Sequence, residues 1–74
     1  MTLKMLRGSK GFTQAYVSEK LEVTQTVVSY WERGKGTPLR KNKMKLAKLY
    51  GVPFEELEQA IEETSAYAEA KKRR

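Results

Sequence analysis

Four neighbouring residues in the middle of the chain combine hydrogen-bonding, methyl and aromatic side chains: Gln25, Thr26, Val27 and Tyr30. Glutamine can pair bidentately with adenine, and threonine can donate to a base or contact the methyl group of thymine. Val27 could meet a thymine methyl or merely be tolerated at the surface, and Tyr30 could contact DNA or pack against the following loop. On one face of a helix, these side chains predict a surface that recognises bases in the major groove.

Two short predicted helices, joined by a tight turn, would position this surface. Each follows a threonine, Thr13 or Thr24, whose hydroxyl can cap the first turn. Apolar residues at helical spacing predict the inward side, namely Val17, Leu21, Val23, Val28 and Trp31. Ser18 is small enough to let the second helix cross the first closely. The pattern is a helix-turn-helix signature, and it assigns Trp31 to the core instead of to base stacking.

The residue inventory excludes most catalytic and metal chemistry. The chain of 74 residues has no cysteine and no histidine, and all nine acidic residues are glutamates. Ser-His-Asp triads, Cys-His pairs and the usual zinc ligand sets therefore cannot form. We expect no enzyme activity, no cofactor and no small-molecule ligand. No apolar run approaches the length of a membrane span, so we expect a soluble, cytoplasmic protein.

The charge is distributed unevenly along the chain. Residues 1–51 carry eleven lysines and arginines against three glutamates, whereas residues 52–70 carry six glutamates and no basic residue. Residues 71–74 are all basic, and we predict one domain over 1–70 followed by a basic tail over 71–74, which could be solvated or could reach DNA. A solvated surface could account for the excess of basic charge. Its concentration around the helix-turn-helix favours a polyanionic partner.

The hydrophobic pattern predicts an all-α fold, a compact bundle of five helices. The first helix covers about Thr2 to Arg7 with Leu3 and Leu6 inward, and the second and third form the helix-turn-helix. The fourth ends at Tyr50, before Gly51. Its inward residues are predicted to be Met44, Ala47 and either Leu46 or Tyr50.

The fifth predicted helix starts at about Pro53 and carries most of the acidic residues. Phe54, Leu57 and Ile61 give it an apolar stripe at spacings of three and four. The stripe is a candidate interface with a second copy, although it could equally be used up in the core of its own chain. Beyond Thr64 and Ser65 the stripe fades, and we expect the last turns to fray.

From about Leu3 to Leu57 the chain resembles the Cro and lambda-repressor-like helix-turn-helix family of phage and bacterial regulators. The motifs that carry the resemblance are residues 6–7, 10–14, 21–25, 31–35, Pro38 and 46–52. Three positions depart from the family pattern. Glu22 stands where glycine is usual and would have to adopt a left-handed conformation. Ser18 replaces an alanine, and Arg40 and Lys43 replace apolar residues at the start of the fourth helix.

The resemblance also implies roles for residues outside the third helix. Gln14 would hold the DNA backbone at the start of the second helix, where the amides favour a phosphate. Arg7 and Glu32 would form an ion pair that fixes the third helix. The acid-free segment after that helix supplies the remaining predicted phosphate contacts, which are Lys35, Arg40, Lys41 and Lys43, with Lys45 in reserve.

These features predict a sequence-specific, DNA-binding transcription regulator, most simply a Cro-like repressor from a phage or mobile element. It would bind an operator of two half-sites as a homodimer, at least on DNA, with the third helix (about 25–33) in the major groove. We expect it at the nucleoid in the cytoplasm of a bacterial cell or a phage-infected host. The alternatives are a DNA-binding antitoxin, a protein-interaction module and a nucleic-acid binder that relies on charge alone.

Overall fold

Five helices, connected by short loops, make up the computed structural model, which describes residues 1–72. In chain order they are α1 (Leu3–Ser9), α2 (Gln14–Leu21), α3 (Gln25–Glu32), α4 (Arg40–Tyr50) and α5 (Phe54–Lys72). No strand occurs within residues 1–72, and the radius of gyration is 11.4 Å. The predicted compact all-α bundle is therefore confirmed.

Threonine caps begin the first three helices. The hydroxyls of Thr2, Thr13 and Thr24 accept hydrogen bonds from the amides of Met5, Tyr16 and Val27. Because Thr2 is the cap and not the first helical residue, α1 begins at Leu3, one residue later than predicted, and it extends to Ser9.

The turn between α2 and α3 has the predicted left-handed residue. Glu22 has φ 58° and is the C-cap of α2, and its amide contacts the carbonyls of Glu19 and Ser18. The amide of Val23 donates to the carbonyl of Ser18 at 3.0 Å, which closes the turn. A side chain in this conformation costs on the order of 1–2 kcal/mol relative to the ordinary helical region.

The core contains buried residues from all five helices. They are Leu3, Leu6, Val17, Leu21, Val28, Trp31, Leu46, Ala47, Tyr50, Leu57, Ala60 and Ile61. The prediction that Met44 points inward is wrong, since its side chain is 56% exposed. At 3.6 residues per turn, Met44 lies roughly 200° around α4 from Leu46, so burying Leu46 and Tyr50 together turns Met44 outward.

α5 belongs to the same core and remains helical beyond the point where its apolar stripe fades. Leu57 and Ile61 are buried within their own chain, so these two residues of the apolar stripe are not available to a second copy.

The helix continues regularly through Thr64 and Ser65 to Lys72, whereas fraying was predicted. The predicted boundary between 70 and 71 falls inside α5. Of the predicted basic tail, Arg73 and Arg74 lie outside the described residues. No helix within residues 1–72 is both long and apolar enough to cross a membrane.

Candidate nucleic-acid interface

α2 and α3 pack together and leave a shallow, open groove on their outer side. Gln14, Gln25, Thr26, Ser29 and Arg33 line it. Gln25 and Thr26 are exposed in the first turn of α3, as the prediction of base-reading residues requires. Ser29 and Arg33 were not predicted. Ser29 follows Gln25 by four residues and Arg33 follows Ser29 by four, which places all three on one side of α3 and its C-cap, and this spacing could have identified them.

Tyr30 and Val27 differ in their exposure on α3. Tyr30 is 45% exposed, and the guanidinium of Arg33 lies 5.2 Å from the centre of its ring. Val27 was predicted to be an exposed valine, but it is half-buried and packs against the core. Its position beside the buried Val28 allows part of the side chain to reach the interior, which leaves little of it for a base.

Arg7 and Glu32 form a partly buried, bidentate ion pair between α1 and the end of α3. Arg7 Nε donates to Glu32 Oε2 at 2.5 Å, and Nη2 donates to Oε1 at 3.1 Å. The remaining Nη1 donates to the carbonyl of Phe12 at 2.9 Å. The hydrogen bond to Glu32 raises the pKa of Arg7. The pair thus connects α1, the loop after it and the last residue of α3.

Gln14 is joined to the same ion pair. Its Nε2 donates to Glu32 Oε1 at 2.9 Å, which fixes the side chain beside the open groove. A glutamine amide has two N–H donors, so one of them remains for another acceptor. Tyr50 lies under this network, and burial raises the pKa of its hydroxyl, with the negative charge of Glu32 adding to the effect.

The segment after α3 presents basic side chains, although not all of them are free. Lys35, Arg40, Lys41 and Lys45 are exposed. Lys43 is different, because its ammonium lies 3.4 Å from the carboxylate of Glu58 on α5. The segment itself contains no acidic residue, but the fold brings Glu58 of α5 against it. Arg40 lies 5.2 Å from the ring centre of Phe54, which keeps it beside α5.

The described part of the chain, residues 1–72, brings together no group of three or more acidic residues that could hold a metal ion. The groove itself is built from neutral hydrogen-bonding groups, with the cation of Arg33 in its lining. Such a surface suits a ligand that carries both hydrogen-bonding base edges and regularly spaced negative charges.

Comparison with known proteins matches the part of the chain that contains this surface. The family model for helix-turn-helix proteins matches residues 3–57. The HTH-type transcriptional activator BcrR of Enterococcus faecalis is 38% identical over 55 residues, which are 74% of this chain and 27% of BcrR. The matched part of the chain thus spans about a quarter of the length of that relative. No solved structure matches the chain.

Proposed function

Because the chain belongs to the Cro/C1-type helix-turn-helix family of DNA-binding transcription regulators, we propose that it recognises a specific operator sequence through α3. The observation that carries this proposal is the groove lined by Gln25, Thr26 and Ser29, with Arg33 at its edge. Amides and hydroxyls distinguish base edges, whereas a binder that relied on charge would be expected to have lysine and arginine at these positions.

The phosphate contacts follow from the position of the basic side chains. Lys35 is exposed in the loop after α3, Arg40 and Lys41 are exposed in the first turn of α4, and Gln14 has one N–H left at the start of α2. Lys43 is a weaker candidate for a phosphate contact because its ammonium already forms a salt bridge with Glu58. Such contacts fix the orientation of the protein on DNA without reading sequence.

Two copies of the chain would bind one operator. A single α3 of eight residues reaches only a few base pairs, which is too little for tight discrimination. If each copy binds one of two half-sites that are related by two-fold symmetry and lie about one helical turn apart, the number of base contacts doubles. Leu57 and Ile61, from the apolar stripe of α5, are buried in the core of their own chain. The two copies would therefore contact each other through another surface.

We infer that the bound protein represses by occupying the promoter, as a Cro-like regulator of a phage or mobile element does, at the nucleoid of the bacterial cell. Activation is the second candidate, because the name of the relative BcrR describes an activator. A promoter reporter with the operator at the polymerase site distinguishes the two, since repression lowers the signal and activation raises it.

Selection of bound duplexes from a random DNA pool tests the main proposal. The expected result is one enriched motif, repeated with inverted symmetry at a spacing of about 10 base pairs. The double variant Gln25→Ala/Thr26→Ala is the control, and it should bind DNA without enriching that motif. Retention of DNA without any enriched motif would indicate a charge-based binder, and no retention would indicate a protein-interaction module.

A further inference from the structure

The second half of α5 lies beyond the region that matches the family, and it packs against the end of α3. Gly34, which follows α3, has φ 71°, and a Cβ atom built on it would lie 2.7 Å from the Cβ of Ala68. Thr64 adds a contact to α1, because its hydroxyl accepts from the amide of Leu3 at 2.9 Å. The last turns of α5 are therefore held beside the C-terminal end of α3.

A second groove, of about 610 Å³, lies where α1, the end of α3 and α5 meet. Its cations come from all three segments and are Lys4, Arg33, Lys35 and Lys71. None of the four forms an ion pair with an acidic residue within the described residues 1–72. The acidic residue in the lining, Glu32, has both carboxylate oxygens bonded, to Arg7 and Gln14. The groove thus has a net positive charge available to a ligand.

Arg33 lines both this second groove and the groove that contains Gln25 and Thr26. The two grooves therefore lie on either side of Arg33, at the C-terminal end of α3. A DNA strand that leaves the recognition surface at this end would meet the cations of the second groove next.

We propose that the second groove binds the sugar–phosphate backbone of DNA immediately outside the half-site, with Lys4 and Lys71 as phosphate contacts. This inference rests on the proposed function. The exposed side chains of Met5 and Tyr67 form apolar walls that suit deoxyribose, and the ammonium of Lys71 lies 5.6 Å from the ring centre of Tyr67. The occupant is DNA because the groove adjoins the recognition surface at Arg33 and its four cations complement phosphates.

The proposal also explains how an acidic helix can approach DNA. The residues that α5 contributes to the groove are Thr64, Tyr67, Ala68 and Lys71, none of which is acidic. At roughly 100° per residue, Glu58, Glu62 and Glu69 lie on the opposite side of α5 from this face. Glu63 lies at the edge of the face, where the N-terminal ammonium of Met1 pairs with it at 2.6 Å. The phosphates would therefore meet the non-acidic face.

Fluorescence anisotropy of the full chain with two duplexes tests the proposal. One duplex ends at the edge of the half-site, and the other extends by several base pairs beyond it. The double variant Lys4→Gln/Lys71→Gln should bind the long duplex several-fold more weakly and lower its log–log salt slope by about 1.8, or about 0.9 for each phosphate contact. Binding to the short duplex should be unchanged.

The matched control is Lys20→Gln/Lys48→Gln, which removes the same charge from exposed positions outside the groove. Equal losses in both double variants, or equal effects on the two duplexes, would overturn the proposal while leaving sequence-specific binding intact. Failure of the unmodified chain to bind any duplex would instead reject the proposed function. Amide NMR shifts at Met5 and Tyr67 that respond to poly-glutamate and not to duplex would show that the groove serves an acidic protein partner.

Discussion

Arg7 and Glu32 connect the first helix to the last residue of the third through two hydrogen bonds, at 2.5 and 3.1 Å. Oε1 of Glu32 also accepts from Gln14 at 2.9 Å. One carboxylate therefore fixes the ends of three helices relative to one another. The junction thus holds the C-terminal end of α3, the helix whose first turn carries Gln25 and Thr26.

Arg7→Ala should destabilise the fold by on the order of 3 kcal/mol. The side chain of Glu32 is only 4% exposed, and removing Arg7 leaves a buried carboxylate without its counterion. Urea unfolding followed by Trp31 fluorescence measures the change. Lys10→Ala, an exposed lysine at the end of the same helix, is the control and should change little. An Arg7→Ala midpoint equal to that of the parent would contradict the prediction.

Gln25→Ala and Thr26→Ala should each weaken binding to the selected operator by roughly 1–3 kcal/mol. Both side chains are exposed and make no contact that the fold requires. Affinity for random DNA should be nearly unchanged, since base contacts contribute only at the cognate site. Competition titrations with both DNAs measure the ratio. Equal losses on the two would mean that neither side chain reads a base.

Lys41→Ala and Lys43→Ala should differ in their effect on the salt dependence of DNA binding. Lys41 is exposed, whereas the ammonium of Lys43 lies 3.4 Å from Glu58. Losing Lys41 should reduce the log–log salt slope by about 0.9, which corresponds to one phosphate contact. Losing Lys43 should reduce it less, and Glu58→Gln should strengthen binding by freeing Lys43. Identical slopes for both lysine variants would rule out this role for Glu58.

Gly34→Ala should be more destabilising than Gly11→Ala. Both glycines have positive φ, 71° and 74°, so the backbone strain is matched at on the order of 1–2 kcal/mol. Only Gly34 faces a neighbour, the Cβ of Ala68 at 2.7 Å from the added atom. Thermal unfolding compares the two variants. Adding Ala68→Gly should recover part of the loss in the Gly34 variant, and no recovery would show that Ala68 is not the obstacle.

Stability should fall as the pH rises above about 10, the ordinary pKa of a tyrosine. Burial raises the pKa of Tyr50, so the folded chain keeps the proton that the unfolded chain loses. The free energy of unfolding is therefore unaffected by Tyr50 below about pH 10. It decreases by up to about 1.4 kcal/mol per pH unit as the pH rises from there toward the pKa of Tyr50 in the folded chain. Tyr50→Phe should flatten this part of the curve, whereas Tyr67→Phe, at an exposed position, should not. Parallel curves for all three proteins would contradict the assignment.

The helix-turn-helix could be predicted from sequence because its determinants are local. The caps at Thr13 and Thr24 bond within their own first turns. The left-handed Glu22 follows from the two helices that flank it. Burial of Val17, Leu21, Val28 and Trp31 follows from spacings of three and four on one helix face. Each of these relations spans only a few residues, so the sequence contains both partners side by side.

Apart from the Arg7–Glu32 pair, which the family resemblance implied, only the tertiary structure decided which distant side chains meet. Lys43 and Glu58 are 15 residues apart, Gln14 and Glu32 are 18 apart, and no local pattern pairs them. The sequence placed Met44 inward together with either Leu46 or Tyr50, whereas the packing buries both Leu46 and Tyr50 and leaves Met44 exposed. Likewise the stripe of α5 could face its own core or a second copy, and only the packing against α1 and α4 assigned Leu57 and Ile61 to the interior. A hydrophobic pattern does not distinguish one apolar residue from another. Close packing in the core does, because it depends on the shape and position of each side chain.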